Sequence, residues 1–181
     1  MKVTETKLKG CFIIEPRVFE DKRGYFYESF NTADFLKHTD QKVDFVQDNE
    51  SCSTRGVLRG LHYQRGEYGQ AKLVRVLHGK VLDVLVDIRE GSSTYGQHFS
   101  IELSSENKRQ LFIPRGFAHG FIVLSESATF FYKCDNYYNK EFEGGIIYND
   151  KTLQIDWKLD ESEFIISDKD LTLPIFENCL L

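Results

Sequence analysis

The run Arg55-Gly-Val-Leu-Arg-Gly-Leu-His-Tyr-Gln64 carries an imidazole in a stretch otherwise suited to a buried strand. On an extended chain Leu58, Gly60, His62 and Gln64 share one face. A histidine and a glutamine aimed at an apolar interior cost free energy unless they are hydrogen-bonded or used. Taken alone, His62 is as readily a satisfied structural histidine as a base. Lys72 shares a face with Val74 and Val76, which carries an ammonium toward the same interior. A single lysine there would more often run out to water. Tyr132 shares a face with Phe130 and Cys134, where a tyrosine is usually structural. A His, a Lys and a Tyr on successive inward faces together make a general acid/base site.

One reaction such a set could serve, and the one the resemblance set out below implies, is proton movement beside a ketone. Removing that proton requires the enolate oxygen to be stabilised, and a lysine ammonium shielded from water does this electrostatically. An imidazole can be neutral and basic near pH 7, and a carboxylate on its other nitrogen stabilises the imidazolium as it forms. A tyrosine on the opposite face can return a proton, because a neighbouring cation lowers the cost of a transient phenolate. No redox cofactor is needed, and the chain has no GxGxxG run. Arg23 and Arg59 are surface residues by default, yet a guanidinium also matches the oxygens of a diphosphate. Strict alternation puts Arg59 opposite His62, so both enter one cavity only if Gly60 permits a bulge.

These residues need strands to hold them, and the chain supplies a two-residue period through most of its length. Leu82, Val84, Val86 and Ile88 share one face of Val81–Ile88, with Asp83 and Asp87 on the other. Lys72–Leu77 is a strand joined to it by the turn His78-Gly79-Lys80. Further strands are expected at 43–51, 56–64, 97–103, 110–113, 119–124 and 128–134. Thr32 is a candidate cap for a short helix over 33–37, and a turn is expected around 161–164. Many short strands without alternating helices predict one all-β domain over residues 1–181, a jelly-roll barrel with short helices at the N-terminal side and the C-terminus.

Composition agrees with a soluble packed domain. The chain has 181 residues, 41% of them hydrophobic and 14% aromatic, which is enough to build a core. A net charge of −5 provides no basic surplus for a nucleic-acid backbone. Cys11, Cys52, Cys134 and Cys179 form no CxxC pair, so reduced thiols in a cytoplasmic protein are expected. No apolar run is long enough to span a bilayer. Pro114-Arg-Gly-Phe-Ala-His119 resembles the second motif of cupins, whose histidine often binds metal. The first cupin motif normally adds HxH and a Glu, but the corresponding place reads His62-Tyr-Gln64 with no second His, and two imidazoles without a third ligand make a poor metal site, so no metal is expected.

Read together, five motifs resemble the dTDP-4-dehydrorhamnose 3,5-epimerase family across nearly the whole chain. They are Arg55–Gln64, Gln70–Val76, Val81–Arg89, Pro114–Phe121 and Tyr132–Tyr138. The resemblance implies a cupin-type jelly roll with His62 as base, Tyr132 as acid, Lys72 near the C4 oxygen and Asp170 as the partner of His62. It further implies contacts to nucleotide, phosphates or sugar from Arg23, Glu28, Gln47, Asn49, Arg59, His119, Glu143 and Lys169, with Tyr138 stacked on the thymine. It implies a homodimer in which an N-terminal segment completes the neighbour's site. Tyr148 stands where the family often has Trp, and the loop at 64–70 lacks a common proline. The tail at 172–181 is expected to pack on the domain or on a partner. The rival readings are an epimerase acting at one carbon or on another nucleotide sugar, a non-catalytic sugar-binding jelly roll, and a metal-dependent cupin dioxygenase.

Overall fold

Alternation of buried and exposed positions builds two antiparallel sheets. The computed structural model describes residues 1–179. In chain order the elements are β1 (Lys2–Glu5), β2 (Phe12–Glu15), β3 (Phe19–Asp21), β4 (Gly24–Phe26) and helix α1 (Thr32–Thr39). There follow β5 (Gln47–Thr54), β6 (Leu58–Gln64), β7 (Lys72–His78), β8 (Lys80–Asp87) and β9 (His98–Ser104). The chain ends with β10 (Gln110–Ile113), β11 (Phe117–Val123), β12 (Ser127–Cys134), β13 (Glu143–Gly145) and the one-turn helix α2 (Asp168–Leu171). One sheet has the order β1-β2-β10-β7-β12-β5 and the other β13-β6-β11-β8-β9, while β3 and β4 form a separate hairpin. This is the cupin-type jelly roll that the strand pattern predicts.

Three apolar clusters follow from the strand faces. Inward residues of both sheets, among them Val74, Val76, Leu85, Leu111, Phe121 and Phe130, form the barrel interior. The outer face of the six-stranded sheet, with Phe12, Leu73 and Phe112, is covered by Phe35 of α1. The outer face of the five-stranded sheet presents Leu82, Val84, Val86 and Ile88 to the C-terminal segment through Leu153, Trp157 and Phe176. Both faces of β8 are therefore buried, and its Asp83 and Asp87 point into the barrel rather than to water. Cys179 packs against the third of these layers. The last two residues of the tail, Leu180 and Leu181, lie outside the described residues.

Several local expectations are corrected. Thr32 is the first residue of α1; the cap is Asn31, whose side-chain oxygen accepts from the amides of Ala33 and Asp34. The helix runs on to Thr39 and stops at Asp40 in the left-handed region. His78-Gly79-Lys80 is not a hairpin turn, because β7 and β8 lie in different sheets and the chain crosses between them there. The expected turn at 161–164 is a 3₁₀ turn over Glu161–Glu163.

β6 departs from simple alternation at Gly60. His119 pairs with His62 and Phe121 with Arg59, so two steps along β11 span three along β6. This bulge brings Arg59 and His62 to the same side of the sheet. Gly60 sits at φ +120°, and a Cβ there would meet Gly120 Cα at 2.6 Å and His119 O at 2.8 Å. Gly60→Ala is expected to destabilise the fold by about 3 kcal/mol, from overpacking against backbone and an unfavourable φ. Urea unfolding of the purified variant checks this; an unchanged midpoint would show that the two strands can separate at no cost.

Candidate active site

The open end of the barrel encloses a cavity of about 800 Å³ between the two sheets. His62 from β6, Lys72 from β7 and Tyr132 from β12 all line it. Lys72 and Tyr132 arrive together because β7 and β12 pair antiparallel, with Lys72 opposite Cys134 and Val74 opposite Tyr132. The Lys72 ammonium lies 5.9 Å from the centre of the Tyr132 ring. His62 and His119 are direct cross-strand neighbours.

Asp170 reaches the cavity on a C-terminal strap that folds back over β6. The strap is fixed at Ile165, whose amide donates to Gly56 O and whose carbonyl accepts from the amide of Leu58. Gly56 is required here: at φ +81° its missing Cβ leaves room for Glu163 O, which would otherwise be 2.0 Å away. Arg55 pairs with Glu163 on the same strap. Ser167 then caps α2 by accepting from the amide of Asp170. The outcome is a bond of 2.7 Å between His62 Nε2 and Asp170 Oδ1, with Asp170 Oδ2 accepting from the amide of Gly60 at 3.2 Å. Nδ1 is the remaining basic nitrogen of His62.

Local electrostatics suit an acid and a base held apart. Burial works to raise the Asp170 carboxyl, but the hydrogen bond and charge of His62 outweigh it and hold it below the usual carboxylate range. Burial raises the Tyr132 phenol, with Cys134 adding to this and Arg59 opposing it, so the hydroxyl keeps its proton at neutral pH. Burial lowers Lys72, while Cys134, Asp83 and Glu143 pull it back up. Burial also lowers His119, whose Nε2 lies 2.9 Å from Asp83 Oδ2.

Most other expected contact residues face the same cavity. Gln47 and Asn49 enter from β5, joined by a 3.1 Å hydrogen bond, and Gln47 Oε1 also accepts from the amide of Tyr138. Arg59 donates to Ser53 Oγ through Nε and Nη2, both at 3.2 Å. At the mouth, Glu143 Oε2 accepts from the Tyr138 hydroxyl at 3.0 Å and from Lys169 Nζ at 2.5 Å. Tyr138 is half exposed, leaving a ring face open. Arg23 and Glu28 are placed elsewhere: both are exposed, and Arg23 is paired with Asp21 in the β3–β4 hairpin, away from the cavity of its own chain.

Asp83 was not among the expected site residues, although the chain offered a signal. An aspartate alternating with apolar residues on a strand buried on both faces must point either into the barrel or into the opposite apolar layer. Ser53 is a second omission, too small and common a residue for the sequence to single out. Among the described residues no group of three or more His, Cys, Asp or Glu side chains is arranged to hold a metal ion. No helix among them is long and apolar enough to cross a membrane.

Comparison with known proteins reaches the same place from another direction. The profile of the dTDP-4-dehydrorhamnose 3,5-epimerase family matches residues 5–178. A dTDP-4-dehydrorhamnose 3,5-epimerase of Shigella flexneri is 53% identical over 171 residues, covering 94% of this chain and 93% of the relative. The crystal structure of the enzyme of that name from Elizabethkingia anophelis superposes with a TM-score of 0.95 at 57% identity, over 98% of this chain and 97% of the other. A dTDP-6-deoxy-D-glucose-3,5-epimerase of Legionella pneumophila, solved in complex with dTDP-4-keto-L-rhamnose, superposes with a TM-score of 0.94 at 49% identity, over 98% and 93%. The similarity runs through both sheets and the strap that carries Asp170, so no element of the cavity falls outside it, and the chain belongs to the dTDP-4-dehydrorhamnose 3,5-epimerase family of isomerases.

Proposed function

We propose that the chain inverts C3 and C5 of dTDP-4-keto-6-deoxyglucose to give dTDP-4-keto-rhamnose, supplying dTDP-rhamnose for surface polysaccharide in the cytoplasm. The observation that carries this reading is the His62–Asp170 pair, 2.7 Å apart, on the cavity that Lys72 and Tyr132 also line. His62 Nδ1 takes the proton beside the C4 ketone, and Asp170 stabilises the imidazolium that forms. The electron pair moves onto the C4 oxygen, where the Lys72 ammonium compensates the charge in a water-poor site. Tyr132 then donates its proton to the opposite face, and solvent restores both groups before the second carbon is turned over. In the substrate a C–H bond is broken and a C–H bond remade, matched by an N–H bond formed on His62 and an O–H bond broken on Tyr132, with no net change of oxidation state, so the reaction calls for no redox cofactor.

The mouth of the cavity is suited to the nucleotide. The open face of Tyr138 can stack on the thymine, while Gln47, Asn49, Glu143 and Lys169 provide donors and acceptors around it. Arg59 and His119 both line the cavity; Arg59 is read as a diphosphate contact, since a guanidinium matches phosphate oxygens, and His119 as a contact to the substrate. Arg23 and Glu28, remote from their own cavity, are read as completing the cavity of a second copy in a homodimer, carried there by the β3–β4 hairpin.

Proton NMR of dTDP-4-keto-6-deoxyglucose incubated with the protein in D2O tests the reading. Deuterium is expected at both C3 and C5, with dTDP-rhamnose formed when a suitable reductase is coupled. Exchange at one carbon alone would move the assignment to a single-site epimerase. No exchange alongside saturable nucleotide binding would point to a non-catalytic binding module.

A further inference from the structure

Among the described residues Arg59 is the one arginine that lines the cavity, and no carboxylate of theirs lies within ion-pairing distance of it. Arg55, Arg89 and Arg115 each lie against an aspartate or glutamate instead. What holds Arg59 is neutral. Its Nε and Nη2 both donate to Ser53 Oγ at 3.2 Å, and its side chain makes no other hydrogen bond among the described residues. Arg59 is exposed on β6 of the five-stranded sheet, whereas Ser53 is buried on β5 of the other, so the two bonds cross between the sheets. Ser53 lies on the inward face of β5 that carries Gln47, Asn49 and Ser51 along the cavity. The bulge at Gly60 turns Arg59 to the side on which it can reach that face.

We propose that Ser53 is a positioning residue that presents the Arg59 guanidinium to the diphosphate of the substrate. The inference rests on the reading of Arg59 as a diphosphate contact and adds the group that aims it. A guanidinium carries its donors along two usable edges. Ser53 occupies the edge formed by Nε and Nη2, which leaves Nη1 and the second hydrogen of Nη2 side by side for two phosphate oxygens. The choice of a hydroxyl matters. A carboxylate in its place would hold the same edge more tightly but would cancel the positive charge that draws an anion. Serine orients the cation and leaves that charge whole. An exposed arginine without a tether must give up rotamer freedom when the ligand arrives, and binding is weaker by that amount. A tether on a buried strand moves the cost into folding, because β5 and β6 bring the two side chains together ahead of the ligand.

Calorimetric titration with dTDP and with thymidine, which lacks the diphosphate, reads the tether separately from the rest of the mouth. Ser53→Ala is expected to weaken dTDP binding about five- to twentyfold, the scale of a net hydrogen bond, with thymidine affinity held within about twofold. KM for the sugar nucleotide should rise in step, with kcat falling by less. Ser53→Thr keeps the hydroxyl and should restore dTDP affinity to within about threefold of the native protein. Arg59→Ala should weaken dTDP at least as much as Ser53→Ala, and combining the two should cost no more than about a further twofold. Equal losses for dTDP and thymidine in Ser53→Ala, or losses that multiply in the double variant, would overturn the proposal by showing that Ser53 only supports the fold. Native dTDP affinity in Ser53→Ala beside a weakened Arg59→Ala would overturn it too, and would leave Arg59 as a phosphate contact. If Arg59→Ala bound dTDP as tightly as the native protein, the diphosphate reading of Arg59 would itself fail, and this inference with it. Should Ser53→Ala fail to fold, 15N NMR of the native protein decides. The Arg59 Nε–H, identified by its absence in Arg59→Ala, must exchange with water about tenfold or more slower than that of an unbonded exposed arginine, and exchange at the free rate refutes the tether.

Discussion

His62→Ala is expected to abolish deuterium exchange at both C3 and C5, lowering the exchange rate by roughly 10³-fold or more, as loss of a positioned base does. No other group in the cavity can take over. His119 has its Nε2 held by Asp83 and is pushed by burial toward the neutral form, but it lies one strand away from His62, whose Nε2 is the one bonded to the Asp170 carboxylate. Affinity for dTDP should stay within about threefold, because Tyr138, Gln47 and Glu143 form the mouth of the cavity independently of the imidazole. The substitution also leaves Asp170 with only the Gly60 amide and its cap, so some loss of stability is expected. His62→Asn controls for this by keeping a side-chain amide where Asp170 can bind it; its exchange should be as slow as that of the alanine variant. Residual exchange near the native rate in either variant, measured by NMR in D2O, would remove His62 from the mechanism.

The strands that carry Lys72 and Tyr132 were legible because their faces are unambiguous. Alternation around Lys72, Val74 and Val76, and around Phe130, Tyr132 and Cys134, put the right side chains inside, and the 110–113 strand matched residue for residue. The strands β1, β3, β4 and β13 were not legible, because β1, β3 and β4 are almost wholly exposed and β13 is Glu-Gly-Gly, so no apolar pattern marks them as it marks the buried, equally short β10. β6 was legible only in part. Alternation separated Arg59 from His62, and what rejoins them is a bulge set by the close approach of Gly60 to Gly120, a contact between residues 60 positions apart that no local pattern encodes. Asp170 shows the same limit more sharply. Its role came from resemblance to a family, because its approach to His62 depends on a strap anchored through backbone bonds at Gly56 and Leu58. Local chemistry thus identified which residues could act, and long-range packing decided which of them meet.

Tyr132→Phe is expected to separate the two halves of the reaction. The first half needs a base and a stabilised enolate, and the variant keeps both: the His62–Asp170 pair is untouched, and a phenylalanine ring preserves the contact with Lys72 at 5.9 Å and with Phe130 at 6.0 Å. The second half needs a proton from the other face, and burial keeps the native phenol in the protonated form that can give one. Without it the enolate can be quenched only from the side on which it formed, by an imidazolium that has exchanged its proton with solvent. Deuterium should therefore still wash into the substrate with retention of configuration, while inverted product falls by roughly 10²-fold or more. The ratio of exchange to inversion, read from one NMR time course with coupled reduction of the product, carries the result. If exchange and inversion fell in parallel, Tyr132 would be acting on enolate formation, as a donor to the C4 oxygen rather than to carbon. If inversion continued at the native rate, the second proton would have to come from another group or from water, and the two-face assignment of His62 and Tyr132 would fail.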